Sequence, residues 1–102
     1  NDKTKANIIY NYALILDVSK KVDEAIPFYM EVLKLNPKHT KTKINLGVMY
    51  MNLTPPDLDT ALALFLQVYN DDKNNFEANN NLGNVYLLKE DYLNSFCIIK
   101  MH

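Results

Sequence analysis

Apolar residues recur in steps of three and four along most of the chain. Ile9, Tyr12, Ala13 and Leu16 form one stripe, and Val22, Ala25, Ile26, Tyr29, Val32 and Leu33 form a second. This is the spacing of one face of an amphipathic helix. The pairing recurs: Leu46, Gly47 and Tyr50 oppose Leu58, Ala61, Leu62, Phe65 and Val68. Further on, Leu82, Gly83 and Tyr86 oppose Tyr92, Ser95, Phe96 and Ile99. No stretch alternates with period two, so the pattern predicts helices and no strands. Asn36-Pro37 predicts a helix stop. Thr54 followed by Pro55 predicts a capped start for the next helix, with proline at its first position.

The stripes are periodic on a longer scale. Ala13, Gly47 and Gly83 are separated by 34 and 36 residues; Ala25, Ala61 and Ser95 by 36 and 34; Tyr29, Phe65 and Ile99 again by 36 and 34. The excess of two falls between Gly47 and Ala61, where Thr54-Pro55-Pro56 sits. A helix-pair unit of 34 residues with a two-residue insertion in one loop accounts for all three series. The units run over 6–39, 40–75 and 76–102, preceded by a flank at 1–5, and the third is truncated. Small residues at the paired positions let two backbones approach, and Tyr29, Phe65 and Ile99 fill the space around the contact.

Leu46-Gly47 with Tyr50, Leu82-Gly83 with Tyr86, the following Ala and the aromatic four residues later resemble the tetratricopeptide repeat (TPR) family. Leu35-Asn36-Pro37 is similar to the family's closing turn. The first unit departs from the pattern with Ala13 and Leu16, and Lys73 stands at the second closing proline. The resemblance implies an all-α, TPR-like α-solenoid of antiparallel helix hairpins, about two and a half repeats of a right-handed superhelix. The RNA-binding pentatricopeptide repeats have a similar period but fit the Gly, Ala and aromatic positions less well.

The resemblance also implies a concave groove, lined by the first helix of each unit, that holds extended peptides. Carried over by position, the groove residues are Asn7, Tyr10, Asn11, Leu14, Lys41, Asn45, Val48, Asn52, Glu77, Asn81 and Asn84. Asn11, Asn45 and Asn81 occupy one position in all three units. A primary amide carries both donor and acceptor, so such a ladder could grip a peptide backbone. The arrangement resembles the asparagine ladders of TPR domains, although asparagine is frequent throughout this chain. The carboxylate clamp found in some TPRs keeps only its central Asn45 here, and Glu77 would repel an acidic tail.

Charge and chemistry narrow the function further. All 11 basic residues are Lys, against 12 acids, for a net charge of -1. That balance, without a single Arg, argues against nucleic-acid recognition. Lys34, Lys38, Lys41 and Lys43 cluster in the sequence and are followed by an acidic stretch, so an acidic partner could be steered to the first region. Cys97 is alone, which excludes an intrachain disulfide. Cys97, His39 and His102 make no nucleophile–base or metal-ligand spacing, and both glycines fall in helices. The expectation is a binding protein, not an enzyme, with no cofactor and no metal. No apolar run is long enough for a membrane span, and a cytoplasmic location is the default.

At the far end Tyr92, Phe96, Ile98, Ile99 and Met101 crowd the last turns. A solenoid needs a polar end cap, so this face is expected to be covered. The sequence therefore leaves two functional readings. One is a protein-interaction scaffold that takes an extended peptide in the groove. The other is a structural segment of a longer solenoid that self-associates through its uncapped end.

Overall fold

The computed structural model describes the backbone of residues 1–101 and the side chains of residues 1–90. Five α-helices follow one another: α1 (Asp2–Val18), α2 (Val22–Leu35), α3 (Thr40–Met51), α4 (Leu58–Asp71) and α5 (Phe76–Met101). α1 pairs with α2 and α3 with α4 as hairpins. α3 stacks on α2, and α5 packs on α4 with a smaller contact to α3. The array measures 58 × 30 × 18 Å. The architecture is an all-α solenoid of helix hairpins, with no strand among the described residues. No described helix is long and apolar enough to cross a membrane.

Local chemistry fixes the helix ends. The Asn1 side chain accepts the Thr4 amide (2.9 Å), so helix α1 takes in the residues read as a flank. α1 ends at a left-handed Lys20 (φ 66°), where Lys21 N–H reaches the Leu16 carbonyl and Lys20 N–H that of Asp17. These are the two bonds of a Schellman turn, a position usually given to glycine. α2 stops at Leu35 before Asn36-Pro37, as the sequence predicts. His39 caps α3: its Nδ1 accepts the Thr42 amide at 3.3 Å and lies 2.8 Å from the Thr42 hydroxyl. α4 opens later than expected. Its cap is Asp57, accepting the Thr60 amide (3.1 Å), and Thr54-Pro55-Pro56 remains in the loop. Asp is as good a cap as Thr and stands next to the first apolar position, Leu58.

The core forms two clusters. Ala13, Leu16, Ala25, Tyr29, Leu46 and Met49 join the first hairpin to α3. Ile44, Ala61, Phe65, Val68, Ala78, Leu82 and Val85 join the second hairpin to α5, and Tyr50 packs against both clusters. Ala13, Ala25 and Ala61 are fully buried, as the close-approach reading requires. Gly47 shows why the position is small: a Cβ there would lie 2.5 Å from the buried Phe65 ring. Gly83, its counterpart in the repeat, faces nothing within 4 Å among the described residues.

Two expectations are corrected. Tyr12 is not part of the inward stripe. It is 52% exposed on the outer face of α1, edge-on to Phe28 with ring centroids 4.9 Å apart. The inward face is instead Ala6, Ala13 and Leu16. The third unit, read as two helices, is the single unbroken helix α5. Leu87, Leu88, Lys89 and Glu90 are all strong helix formers, and no Pro or Gly interrupts them. Tyr92, Phe96, Ile98, Ile99 and Met101, the expected self-association face, lie outside the described side chains.

Paired alanine substitutions test this packing. Gly47→Ala drives a methyl into a ring that cannot retreat, and overpacking of this kind costs about 1–3 kcal/mol. Gly83→Ala adds a methyl in open space and relieves the entropy of a mid-helix glycine, a gain of about 0.5–1 kcal/mol. Urea titrations of the two variants should therefore shift in opposite directions.

Burial, and secondarily the charge of Lys41, hold the His39 imidazole below its usual pKa. Folding then favours the neutral ring that caps α3, while the unfolded chain protonates first. Stability from this group is fully present above about pH 6.5, the unfolded value. It is lost as pH falls from there to the lower folded value. Thermal melts between pH 8 and 5 should show this loss in the wild type and a smaller one in His39→Asn, whose cap does not titrate.

Candidate functional site

The groove predicted from the first helices centres on a short polar chain that joins the two hairpins. Tyr29, on α2, is fully buried, and its hydroxyl donates to Asp17 Oδ2 at 2.9 Å. Asn45, on α3, donates its Nδ2 to the Tyr29 hydroxyl (3.3 Å) and to the Tyr10 hydroxyl of α1 (3.2 Å). Tyr10 in turn packs against Tyr29, with ring centroids 5.9 Å apart, and against His39 at 4.8 Å. Burial, the hydrogen bond to Asp17 and the carboxylate's charge push the Tyr29 phenol far above its usual pKa. The hydroxyl stays protonated, and the chain Asn45–Tyr29–Asp17 keeps one direction of donation.

The Tyr10–Asn45 bond joins the linings of two open cavities. One, of about 620 Å³, is lined by Asn7, Tyr10, Asn11, Asn36, Lys38, His39, Thr40 and Lys41. The other, of about 480 Å³, lies among the α1–α2 turn, α3 and the first turns of α5. Ile44, Val48, Met49 and Leu53 supply its apolar wall, and Asn45, Asn52, Asn81, Asp17, Asp23 and Glu77 its polar one.

Most groove residues expected from the sequence are therefore brought together, but in two groups. Asn7, Tyr10, Asn11 and Lys41 line the first cavity, and Asn45, Val48, Asn52, Glu77 and Asn81 the second. Leu14 and Asn84 line neither. The three-rung asparagine ladder is not uniform. Asn11 is exposed and Asn81 half-buried, whereas the Asn45 amide nitrogen is already committed to two tyrosines. The lysine-rich segment also disperses. Lys43 is buried, whereas Lys34, Lys38 and Lys41 are exposed, and Lys38 lies 4.0 Å from Asp71.

Asp17, Lys20 and Asp23 were missed because they sit at and after the end of α1, outside the first-helix positions that a repeat alignment carries over. Their signal was the charged, glycine-free turn Asp17–Glu24 between two apolar stripes. Among the described residues no three His, Cys, Asp or Glu side chains converge to hold a metal ion.

Comparison with known proteins agrees with the geometry. Residues 6–39 match the family model described as tetratricopeptide repeat, over the bounds of the first unit. The chain is also similar to Protein O-mannosyl-transferase Tmtc3 of Drosophila melanogaster, 32% identical over 79 residues. That match covers 78% of this chain and 8% of the fly protein, so the chain spans a small part of its relative's length. The match makes residues 6–39 a tetratricopeptide repeat, and the helices stacked on it extend an all-α, TPR-like solenoid; such repeats generally mediate protein–protein interaction.

Proposed function

We propose that this chain is a protein-interaction module that holds an extended peptide along the face shared by α1, α3 and the first turns of α5, and that it performs no catalysis. The observation that carries the reading is the coalescence of repeat-equivalent residues from three units into two cavities whose linings meet at Tyr10–Asn45. A groove of this kind binds through backbone hydrogen bonds to side-chain amides, with apolar pockets taking alternate side chains. Exposed Asn11 and half-buried Asn81 retain both amide functions for such contacts. An extended strand rises about 3.3 Å per residue, so roughly nine residues cross the 30 Å breadth of the array.

A second reading, end-to-end assembly, has its own support. Ile8, Tyr12 and Ile15 are each more than half exposed and form one apolar stripe on α1, beside partly exposed Phe28. At the other end Gly83 is open, next to exposed Tyr86 and Leu87. Contiguous apolar surface of this kind marks interaction sites.

Amide NMR titration of the chain with random extended peptides discriminates these readings. Shifts gathered on Asn7, Asn11, Asn45, Val48 and Asn81 are the expected result, while shifts confined to Ile8, Tyr12 and Ile15 or to Gly83, Tyr86 and Leu87 contradict groove binding. For the second reading, sedimentation at rising concentration should show association that Ile15→Glu or Leu87→Glu abolishes. A monomer at high micromolar concentration would sink it.

A further inference from the structure

The cavity beside Asn45 has a polarity that the repeat alignment does not reveal. Three carboxylates line it, Asp17, Asp23 and Glu77, against one cation, Lys20. Two of them have an intrinsic reason to be there: Asp23 and Glu77 stand in the first turns of α2 and α5, where the helix dipole favours an acid. Asp17 does not. It sits in the last turn of α1, the unfavourable end for a carboxylate, and that turn contains no basic residue. None of the three takes part in the two ion pairs found among the described residues, Lys38–Asp71 and Lys89–Asp59.

The hydrogen-bond chain adds a directional constraint. Asn45 spends its Nδ2 on Tyr10 and Tyr29, so the group it has left for a ligand is its carbonyl oxygen. Tyr29 spends its proton on Asp17 Oδ2, which leaves Asp17 Oδ1. The polar atoms that Asn45 and Asp17 have left over from this network are acceptors, while the Tyr10 hydroxyl keeps a proton to donate. Around these acceptors stand Val48, Met49 and Leu53, an apolar wall that suits an aliphatic stem.

We infer that this cavity takes a lysine or arginine side chain of the bound peptide, with its methylenes along Val48 and Met49 and its cationic head among Asp17, Asn45 and Glu77. A positively charged group on an aliphatic stem matches a cavity lined by three carboxylates against one lysine, with an apolar wall. The inference rests on the groove reading above and adds to it the chemical class of the ligand's central residue.

The test uses the 102-residue chain and fluorescein-labelled peptide pools of roughly nine residues, the length that crosses the face. The pools share randomised neutral flanks and differ only at the centre, which is Lys, Arg, norleucine or Glu. At low ionic strength the Lys and Arg pools should bind about tenfold tighter than norleucine, and the Glu pool more weakly still. In the Asp23→Asn/Glu77→Gln double variant, with helicity checked by circular dichroism, the affinity ratio of the Lys and Arg pools to norleucine should shrink to about twofold or less. Equal binding of all pools, a preference for Glu, or a cation preference that survives the double variant overturns the inference and leaves groove binding standing. Failure of every pool to bind removes the groove reading and the inference together.

Discussion

The hydroxyl of Tyr29 is the point on which the rest of the structure turns. It is fully buried, so it must be hydrogen-bonded or cost about 1–3 kcal/mol. It is satisfied from two directions, by Asp17 within its own hairpin and by Asn45 on the next. A stack of helix hairpins held only by apolar contact could slide. A buried hydroxyl with one donor bond and one acceptor bond specifies a single offset between hairpins, because slippage would orphan it. Its partners Asp17 and Asn45 also line the second cavity. Under the proposed groove reading, stacking and recognition are coupled through one side chain, and the direction of hydrogen bonding that locks the stack also decides which groups of Asn45 and Asp17 remain for a ligand.

Around this latch the packing is set by size. Ala13 and Ala25 bring α1 and α2 together, and Gly47 admits the Phe65 ring between α3 and α4. The first hairpin uses alanine where the second uses glycine. The ring in the first hairpin, Tyr29, carries a hydroxyl that reaches on to the polar chain, whereas Phe65 ends in the core. The tyrosine–phenylalanine exchange between equivalent positions therefore separates a ring that reaches the neighbouring unit by a hydrogen bond from one that makes apolar contact only.

The fold was legible because repetition multiplies a weak signal: three residue series sharing a 34-residue period located the first two hairpins and the loop insertion without reference to any contact, though not the unbroken helix α5. Helix ends were read well where proline enforces them, as at Asn36-Pro37, and poorly where several caps compete, as at Thr54 and Asp57. Tyr12 was misassigned because tyrosine satisfies an apolar stripe and an exposed edge equally, and only the position of Phe28 decides between them. Of the site, the positions on first helices were legible by analogy between units. Asp17, Lys20 and Asp23 were not, since a turn's residues reach the groove only after the chain reverses at a left-handed lysine. The commitment of Asn45 was also invisible, because the partners of an amide, Tyr10 and Tyr29, lie 35 and 16 residues away.

A double-mutant cycle on Tyr29→Phe and Asn45→Ala bears most directly on the claim that one polar contact both registers the hairpins and polarises the face. If the two side chains act as described, their effects on unfolding free energy should be coupled by about 1 kcal/mol, as for partners in one hydrogen-bond network. Each single variant should then lose nearly as much as the pair. Losses that simply add, to within about 0.3 kcal/mol, would mean that the hydroxyl and the amide do not depend on one another, and the account would fail.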